Sequence, residues 1–160
     1  MSEEQDRRVD KRPLSAVSNL LSSVFFIGFI PFAPGTFGSL AGALFIFILK
    51  PSYLIHLLLI AMVLLVGLWS SEQSESCWGK DSKKIVIDEF LGQMVALLFV
   101  PLSLTNLLAS FALFRSFDIL KPYPIKALER GLKGGPSIIF DDVLSGVAAN
   151  LTLQVALCVT

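Results

Sequence analysis

Residues 52–70 read SYLIHLLLIAMVLLVGLWS and contain no Asp, Glu, Lys or Arg. A helix that crosses the hydrocarbon core of a bilayer needs about 20 predominantly apolar residues. This segment therefore predicts a transmembrane helix in the middle of the chain.

Further apolar runs lie on both sides of this segment, at residues 15–32, 37–49, 85–100, 104–119 and 138–160. Thr36 can cap the run at 37–49, because threonine side chains accept hydrogen bonds from the free amides at a helix start. The runs predict an all-α fold, a polytopic membrane helical bundle with about five transmembrane helices. Residues 15–32 are expected to form an N-terminal helix that is interfacial or partly inserted.

The composition agrees with a membrane protein. Hydrophobic residues make up 54% of the 160 residues and charged residues 16%, whereas soluble domains average about 45–50% and about 25%. The mean hydropathy is +0.72. We expect a flexible polar tail at residues 1–13, followed by a single integral-membrane domain at residues 14–160.

Several classes of protein are excluded by simple counts. Thirteen basic and thirteen acidic residues cancel, so no global basic field would attract nucleic acid. Cys77 and Cys158 lie far apart, which disfavours a zinc site or a disulfide scaffold. His56 is the single histidine, so chemistry that needs two histidines is excluded, and we interpret it as a packing or interfacial residue.

Basic residues favour one orientation in the membrane. Two loops carry them: Lys80, Lys83 and Lys84 lie in the first, and Lys121, Lys126, Arg130 and Lys133 lie in the second. Positively charged loops remain on the cytoplasmic side. We therefore predict five crossings with the amino terminus inside.

Acidic side chains interrupt the apolar runs in three places: Asp88 with Glu89, Asp118 alone, and Asp141 with Asp142. An ionisable side chain within a membrane helix costs about 2.5–3.5 kcal/mol on insertion scales, so such residues are candidates for a functional site. In the predicted topology all three groups lie near the cytoplasmic ends of three different helices. Inward-facing side chains at one depth can meet in a single site.

Five carboxylates at one depth would repel each other unless a cation lies among them. A hard divalent cation with oxygen ligands satisfies this requirement, and we expect Mg²⁺. We predict that the metal ligands and the catalytic base come from one set of acids, without distinguishing which acid is the base. The set is Asp88, Glu89, Asp118, Asp141 and Asp142.

Two basic residues flank Asp118 at intervals of three: Arg115 and Lys121. Such spacing places all three near one helix face, and cations beside a metal–carboxylate cluster suit a phosphate. Residues 34–39, PGTFGS, can also hold an anion through free amides at a helix start, with Thr36 as the candidate side chain. The alternative is that Arg115 and Asp118 form a structural ion pair and the acids are only interfacial.

Other routes of phosphate ester hydrolysis lack their residues. No Cys is followed six residues later by Arg, and no DxDx[TV] stretch supplies an aspartyl nucleophile. The GxSxG elbow of serine hydrolases is also absent. Metal-assisted hydrolysis with a carboxylate as general base remains.

Four blocks of sequence together resemble the bacterial phosphatidylglycerophosphatase A family: PGTFGS at 34–39, IVIDEFLGQ at 85–93, FRSFDILKPYPI at 114–125 and GGPSIIFDDVLSG at 134–146. The resemblance implies Mg²⁺-dependent hydrolysis of phosphatidylglycerol phosphate at the bacterial inner (cytoplasmic) membrane, with the active site on the cytoplasmic side. It maps the motif positions of the family onto Asp88, Glu89, Arg115, Asp118, Lys121, Asp141 and Asp142. Pro136-Ser137 departs from the residues expected after the paired glycines.

Two other functions fit the sequence less well. A Mg²⁺-dependent lipid head-group phosphotransferase would carry a DGxxAR…GxxxDxxxD pattern, which the sequence lacks. A small ion-coupled transporter would need acids near the middle of the bilayer or on both sides. The expected partners are an anionic phospholipid substrate and the bilayer, and a homo-oligomer is compatible with the sequence.

Overall fold

The computed structural model describes residues 15–79, 82–123 and 135–159. Within these ranges every regular element is helical, which confirms the predicted all-α class. The α-helices are α1 (Pro34–Leu49), α2 (Tyr53–Trp78), α3 (Ile87–Ala96), α4 (Leu104–Leu120) and α5 (Gly135–Val159). A helical segment at residues 15–22 and a 3-10 turn at Ile27–Phe29 precede them. The predicted tail at 1–13 and the basic residues Lys80, Lys126, Arg130 and Lys133 lie outside the described residues.

Among the described residues, two helices are long and apolar enough to cross a membrane: Tyr53–Trp78, with a hydropathy of 2.3, and the Ile139–Val159 part of α5, with 1.5. The outer face of α2 leaves large apolar side chains uncovered, since Leu54 is 68% exposed and Leu65 is 69% exposed. Contiguous apolar surface of this kind indicates contact with lipid or with another protein. Together with the composition, this favours a membrane protein.

Helix α3 lies at the centre of the bundle and contacts the four other helices. Most of its side chains are buried, including Asp88. Glycines allow the neighbouring backbones to approach it. A β-carbon on Gly42 would lie 2.5 Å from the carbonyl oxygen of Phe90, and one on Gly92 would lie 2.7 Å from that of Asp142. Small residues at helix contacts permit such close packing in membranes.

The helix predicted at residues 85–100 ends early, because α3 stops at Ala96 and the chain turns, with Phe99 at φ 61°. Side chains from neighbouring helices satisfy the carbonyl groups at this end. Nε2 of buried His56 donates to the carbonyl of Met94 at 3.0 Å, and Nδ2 of Asn150 donates to those of Ala96 at 3.1 Å and Leu98 at 2.6 Å. Irregular backbone at membrane depth is tolerated where protein groups pair with it.

Helix α1 begins earlier than predicted. Pro34 is its first residue, and Ala33 is the N-cap, with no side-chain hydrogen bond. The prediction that Thr36 caps this helix is therefore wrong, and Thr36 lies in the first turn. Proline fits the first helical position because its fixed φ suits a helix and its missing N–H would be unpaired there anyway.

Two other predicted bounds also change. The helix in residues 15–32 ends at 22, because Val24, Phe25 and Phe26 adopt positive φ angles of 47°, 52° and 70°. Helix α2 continues past residue 70 to Trp78. One face of its polar last turns is covered by protein, since Ser74 is buried and its hydroxyl is hydrogen-bonded to that of Ser22 at 2.7 Å.

Candidate active site

The first turn of α3 carries two adjacent acids, Asp88 and Glu89. Acidic side chains are favourable at this end of a helix because its unpaired amides carry partial positive charge. The segment just before the helix is held in place, since the amide of Val86 donates to the carbonyl of Ser22 at 2.9 Å. A backbone hydrogen bond therefore joins the N-terminal segment to the residue that precedes α3.

Three of the five predicted acids meet: Asp88, Glu89 and Asp142 each offer a carboxylate oxygen within 4.8 Å of the others. We call these three residues the acidic cluster. Asp88 is 6% exposed and Asp142 is 5% exposed. Asp118 lies close enough to repel all three of them electrostatically. The acids of α3 and α5 thus meet, and Asp118 of α4 lies beside them.

Some oxygens of the acidic cluster have no hydrogen-bond partner within the described part of the chain. They are Oδ1 of Asp88 and Oε2 of Glu89, both inaccessible to solvent. Buried polar atoms are normally paired, so unpaired ones call for a ligand. Several carboxylates in contact also cost free energy unless a cation offsets their repulsion. An oxygen-only donor set of this kind suits a hard divalent cation.

Arg115 lies beside the acidic cluster and is anchored at one nitrogen. Its Nη1 donates to Oδ2 of Asp118 at 2.5 Å. The two residues share a helix face, as their spacing indicates, and they form the ion pair that the alternative interpretation described. The same nitrogen donates to Oγ of Ser39 at 3.4 Å. Nε of Arg115 is buried without a partner among the described residues.

The other two predicted groups, Asp141 and Lys121, pair with each other. Lys121 is the C-cap of α4, and its ammonium group contacts Oδ2 of Asp141. Asp141 is not one of the three acids whose oxygens lie within 4.8 Å. Its role as a metal ligand and the role of Lys121 in phosphate binding stay predictions, as does the phosphate contact of partly buried Thr36.

The first turn of α1 forms one wall of the site. A β-carbon on Gly35 would overlap Oε1 of Glu89 and would lie 3.5 Å from Nη1 of Arg115. The anionic group next to this helix start is therefore the side chain of Glu89. The sequence did not reveal Gly35 or Ser39 as site residues. Their presence in the PGTFGS block was the available signal, but their contacts join α1 to α3 and α4 and are not encoded by local spacing.

Comparisons with known proteins agree on one family. The Phosphatidylglycerophosphatase A family model matches residues 20–157. A protein of that name from Haemophilus influenzae is 40% identical over 153 residues, which cover 90% of this chain and 94% of the relative. Another from Escherichia coli is 33% identical over 135 residues, or 81% of this chain and 77% of the relative.

A third relative carries a different name. It is a Bacteroides thetaiotaomicron protein, provisionally named a phosphatidylinositol-3-phosphatase, and it is 39% identical over 155 residues. The match covers 91% of this chain and 96% of the relative. No solved structure matches the chain significantly.

Proposed function

The chain belongs to the phosphatidylglycerophosphatase A family, and we propose accordingly that it hydrolyses phosphatidylglycerol phosphate to phosphatidylglycerol and inorganic phosphate. The main observation behind this proposal is that carboxylate oxygens of Asp88, Glu89 and Asp142 lie within 4.8 Å of one another. The guanidinium group of Arg115 beside them adds a binding group for phosphate. Together these groups provide both the negative charge that holds a metal ion and the positive charge that holds a substrate.

We infer that the cofactor is Mg²⁺, because the residues present fit it. The acidic cluster supplies only oxygen donors, and two of its buried oxygens are unpaired among the described residues. The cluster would hold the ion, with Asp118 beside it as a further ligand or base. When bound, Mg²⁺ supplies positive charge that offsets the charge on the phosphate oxygens during the reaction. Asp141 would contribute through its contact with Lys121.

The reaction joins a water oxygen to phosphorus and breaks the bond between phosphorus and the glycerol oxygen. A carboxylate of the site accepts the proton that the water loses. The glycerol oxygen leaves as a hydroxyl group by taking a proton from solvent. Arg115 and Lys121 hold the phosphate oxygens, the former through a planar fork of donors and the latter as a point charge. The site thus combines positioning, charge and a base.

We propose that α1, α2, residues 85–100, α4 and α5 each cross the membrane, giving five crossings. The ten-residue helix α3 alone is too short for a full span, since each residue adds about 1.5 Å to a helix. The residues of 85–100 on either side of the helix complete this crossing. The side chains of His56 and Asn150 support the proposal, because they satisfy the carbonyl groups where α3 ends. Lys83 and Lys84 precede the acidic cluster in sequence, which favours the cytoplasmic face of the bacterial inner membrane.

Phosphatidylinositol 3-phosphate is a second candidate substrate, because one relative is provisionally named a phosphatidylinositol-3-phosphatase. Both substrates are phosphomonoesters on a lipid head group. The same acidic cluster would serve either one. The head group beyond the phosphate would then decide between them.

The test is phosphate release by the full-length protein in detergent micelles that contain one lipid at a time. Phosphatidylglycerol phosphate with Mg²⁺ is expected to give sustained release, and excess chelator is expected to abolish it. Release only from phosphatidylinositol 3-phosphate would replace the proposed substrate. Undiminished release in the presence of chelator would contradict the proposed metal requirement.

A further inference from the structure

One nitrogen of the Arg115 guanidinium group, Nη1, is hydrogen-bonded to side chains on two different helices. It contacts Asp118, three residues later on α4, and Ser39 on α1, 76 residues earlier in the chain. The hydroxyl of Ser39 in turn donates to the carbonyl of Gly35 at 2.8 Å. Since that bond uses the single hydroxyl proton, Ser39 is left as an acceptor for Arg115.

The opposite edge of the guanidinium group carries Nε and Nη2, and Nε is buried without a partner within the described residues. An unpaired buried donor costs free energy that a suitable acceptor recovers. Two parallel N–H groups on one edge match two oxygens of a phosphate. The unpaired Nε therefore indicates that this edge is the one offered to a ligand.

We propose that Ser39 is a positioning residue that turns the Nε–Nη2 edge of Arg115 toward the substrate phosphate. One anchor on Asp118 would leave the guanidinium group free to swing about that contact. A second anchor, on a different helix, fixes its plane. Ser39 is completely buried, so water cannot take its place as the acceptor. This inference rests on the proposed function, in which Arg115 binds phosphate.

The test compares Ser39→Ala with Ser70→Ala as a matched control. Both serines are completely buried, and Ser70 also donates to a carbonyl of its own helix, that of Gly67, at 3.4 Å. Ser70 lies on α2, away from Arg115. The measurements are KM and kcat for phosphatidylglycerol phosphate, inhibition by orthovanadate as a tetrahedral phosphate analogue, and the rise in thermal midpoint that orthovanadate produces.

Ser39→Ala is expected to raise KM and the inhibition constant of orthovanadate by about tenfold, as the loss of one hydrogen bond to a charged group implies. Its thermal midpoint without ligand should match that of Ser70→Ala. In an Arg115→Lys background, where no guanidinium edge exists, Ser39→Ala should add no further weakening of orthovanadate binding.

Equal orthovanadate constants in Ser39→Ala and Ser70→Ala would overturn the inference, and so would a full effect of Ser39→Ala in the Arg115→Lys background. Failure of the proposed function looks different. A wild-type protein that releases no phosphate from any lipid would contradict the function, and the thermal shift with orthovanadate would still decide the role of Ser39.

Discussion

Oε1 of Glu89 lies so close to Gly35 that it would overlap a β-carbon added to that residue. The first turn of α1 therefore leaves room for this acid only because residue 35 has no side chain. The next turn carries Ser39, which donates to the carbonyl of Gly35 and accepts from Arg115. One short stretch of α1 thus positions both an acid and a cation of the site.

Gly35→Ala is expected to reduce kcat by about a hundredfold, because displacing a reacting group by about 1 Å can cost that much. The added methyl group must push Glu89 out of its place. Gly67→Ala is the matched control, since its β-carbon would meet the flexible end of Ile139 at 2.8 Å. Steady-state rates of phosphate release for both variants check the prediction, and equal rates would count against it.

Asp88→Asn and Asp142→Asn are each expected to reduce turnover to background while the protein stays folded. Replacing one acid of the cluster removes a charge that is repelled by its neighbours, so the thermal midpoint without metal should stay the same or rise. Glu72→Gln, which changes an exposed acid on α2, should leave the turnover and the thermal midpoint unchanged. Near-normal activity in either cluster variant would remove that residue from the mechanism.

Gly146→Ala is expected to destabilise the bundle by about 1–3 kcal/mol, the usual cost of overpacking a well-packed contact. The new β-carbon would overlap the carbonyl oxygen of Gly92, which is backbone and cannot rotate away. Val147→Ala is the control, because Val147 is exposed on the same helix. Thermal unfolding in detergent compares the two, and equal midpoints would show that α3 and α5 do not pack this closely.

Cys77 and Cys158 are both free and exposed, and the proposed topology places them on opposite sides of the membrane. A membrane-impermeant maleimide should label Cys77 in inverted vesicles and Cys158 in right-side-out vesicles. The variants Cys77→Ser and Cys158→Ser assign each signal. Labelling of both cysteines from one side would contradict the arrangement of five crossings.

The sequence predicted the helices well where an apolar run and its boundaries coincide. Leu104–Leu120 matches its run closely, and the side chain of Ser103 accepts from the amide of Asn106 at 3.1 Å. Helix α2 was predicted too short, because its last turns look polar although Ser70, Ser71 and Ser74 are buried. Burial against protein, as opposed to lipid, depends on tertiary contacts that local hydropathy does not contain.

The candidate site was predicted in outline and not in its pairings. The common depth of the three acidic groups along their helices predicted that they lie near one another, and the spacing placed Arg115 and Asp118 on one helix face. Spacing could not show that Asp142 points into the cluster whereas Asp141 pairs with Lys121. The rotation of one helix against another decides which of two adjacent acids faces the site.

Binding of Mn²⁺ to the purified full-length protein, followed by electron paramagnetic resonance, tests most directly whether the acidic cluster holds a divalent cation. Wild-type protein is expected to bind Mn²⁺ saturably and to release it as Mg²⁺ is added. A variant that combines Asp88→Asn with Asp142→Asn is expected to lose this binding, whereas Glu72→Gln should keep it. Equal Mn²⁺ binding by the wild type and the double variant would contradict the account.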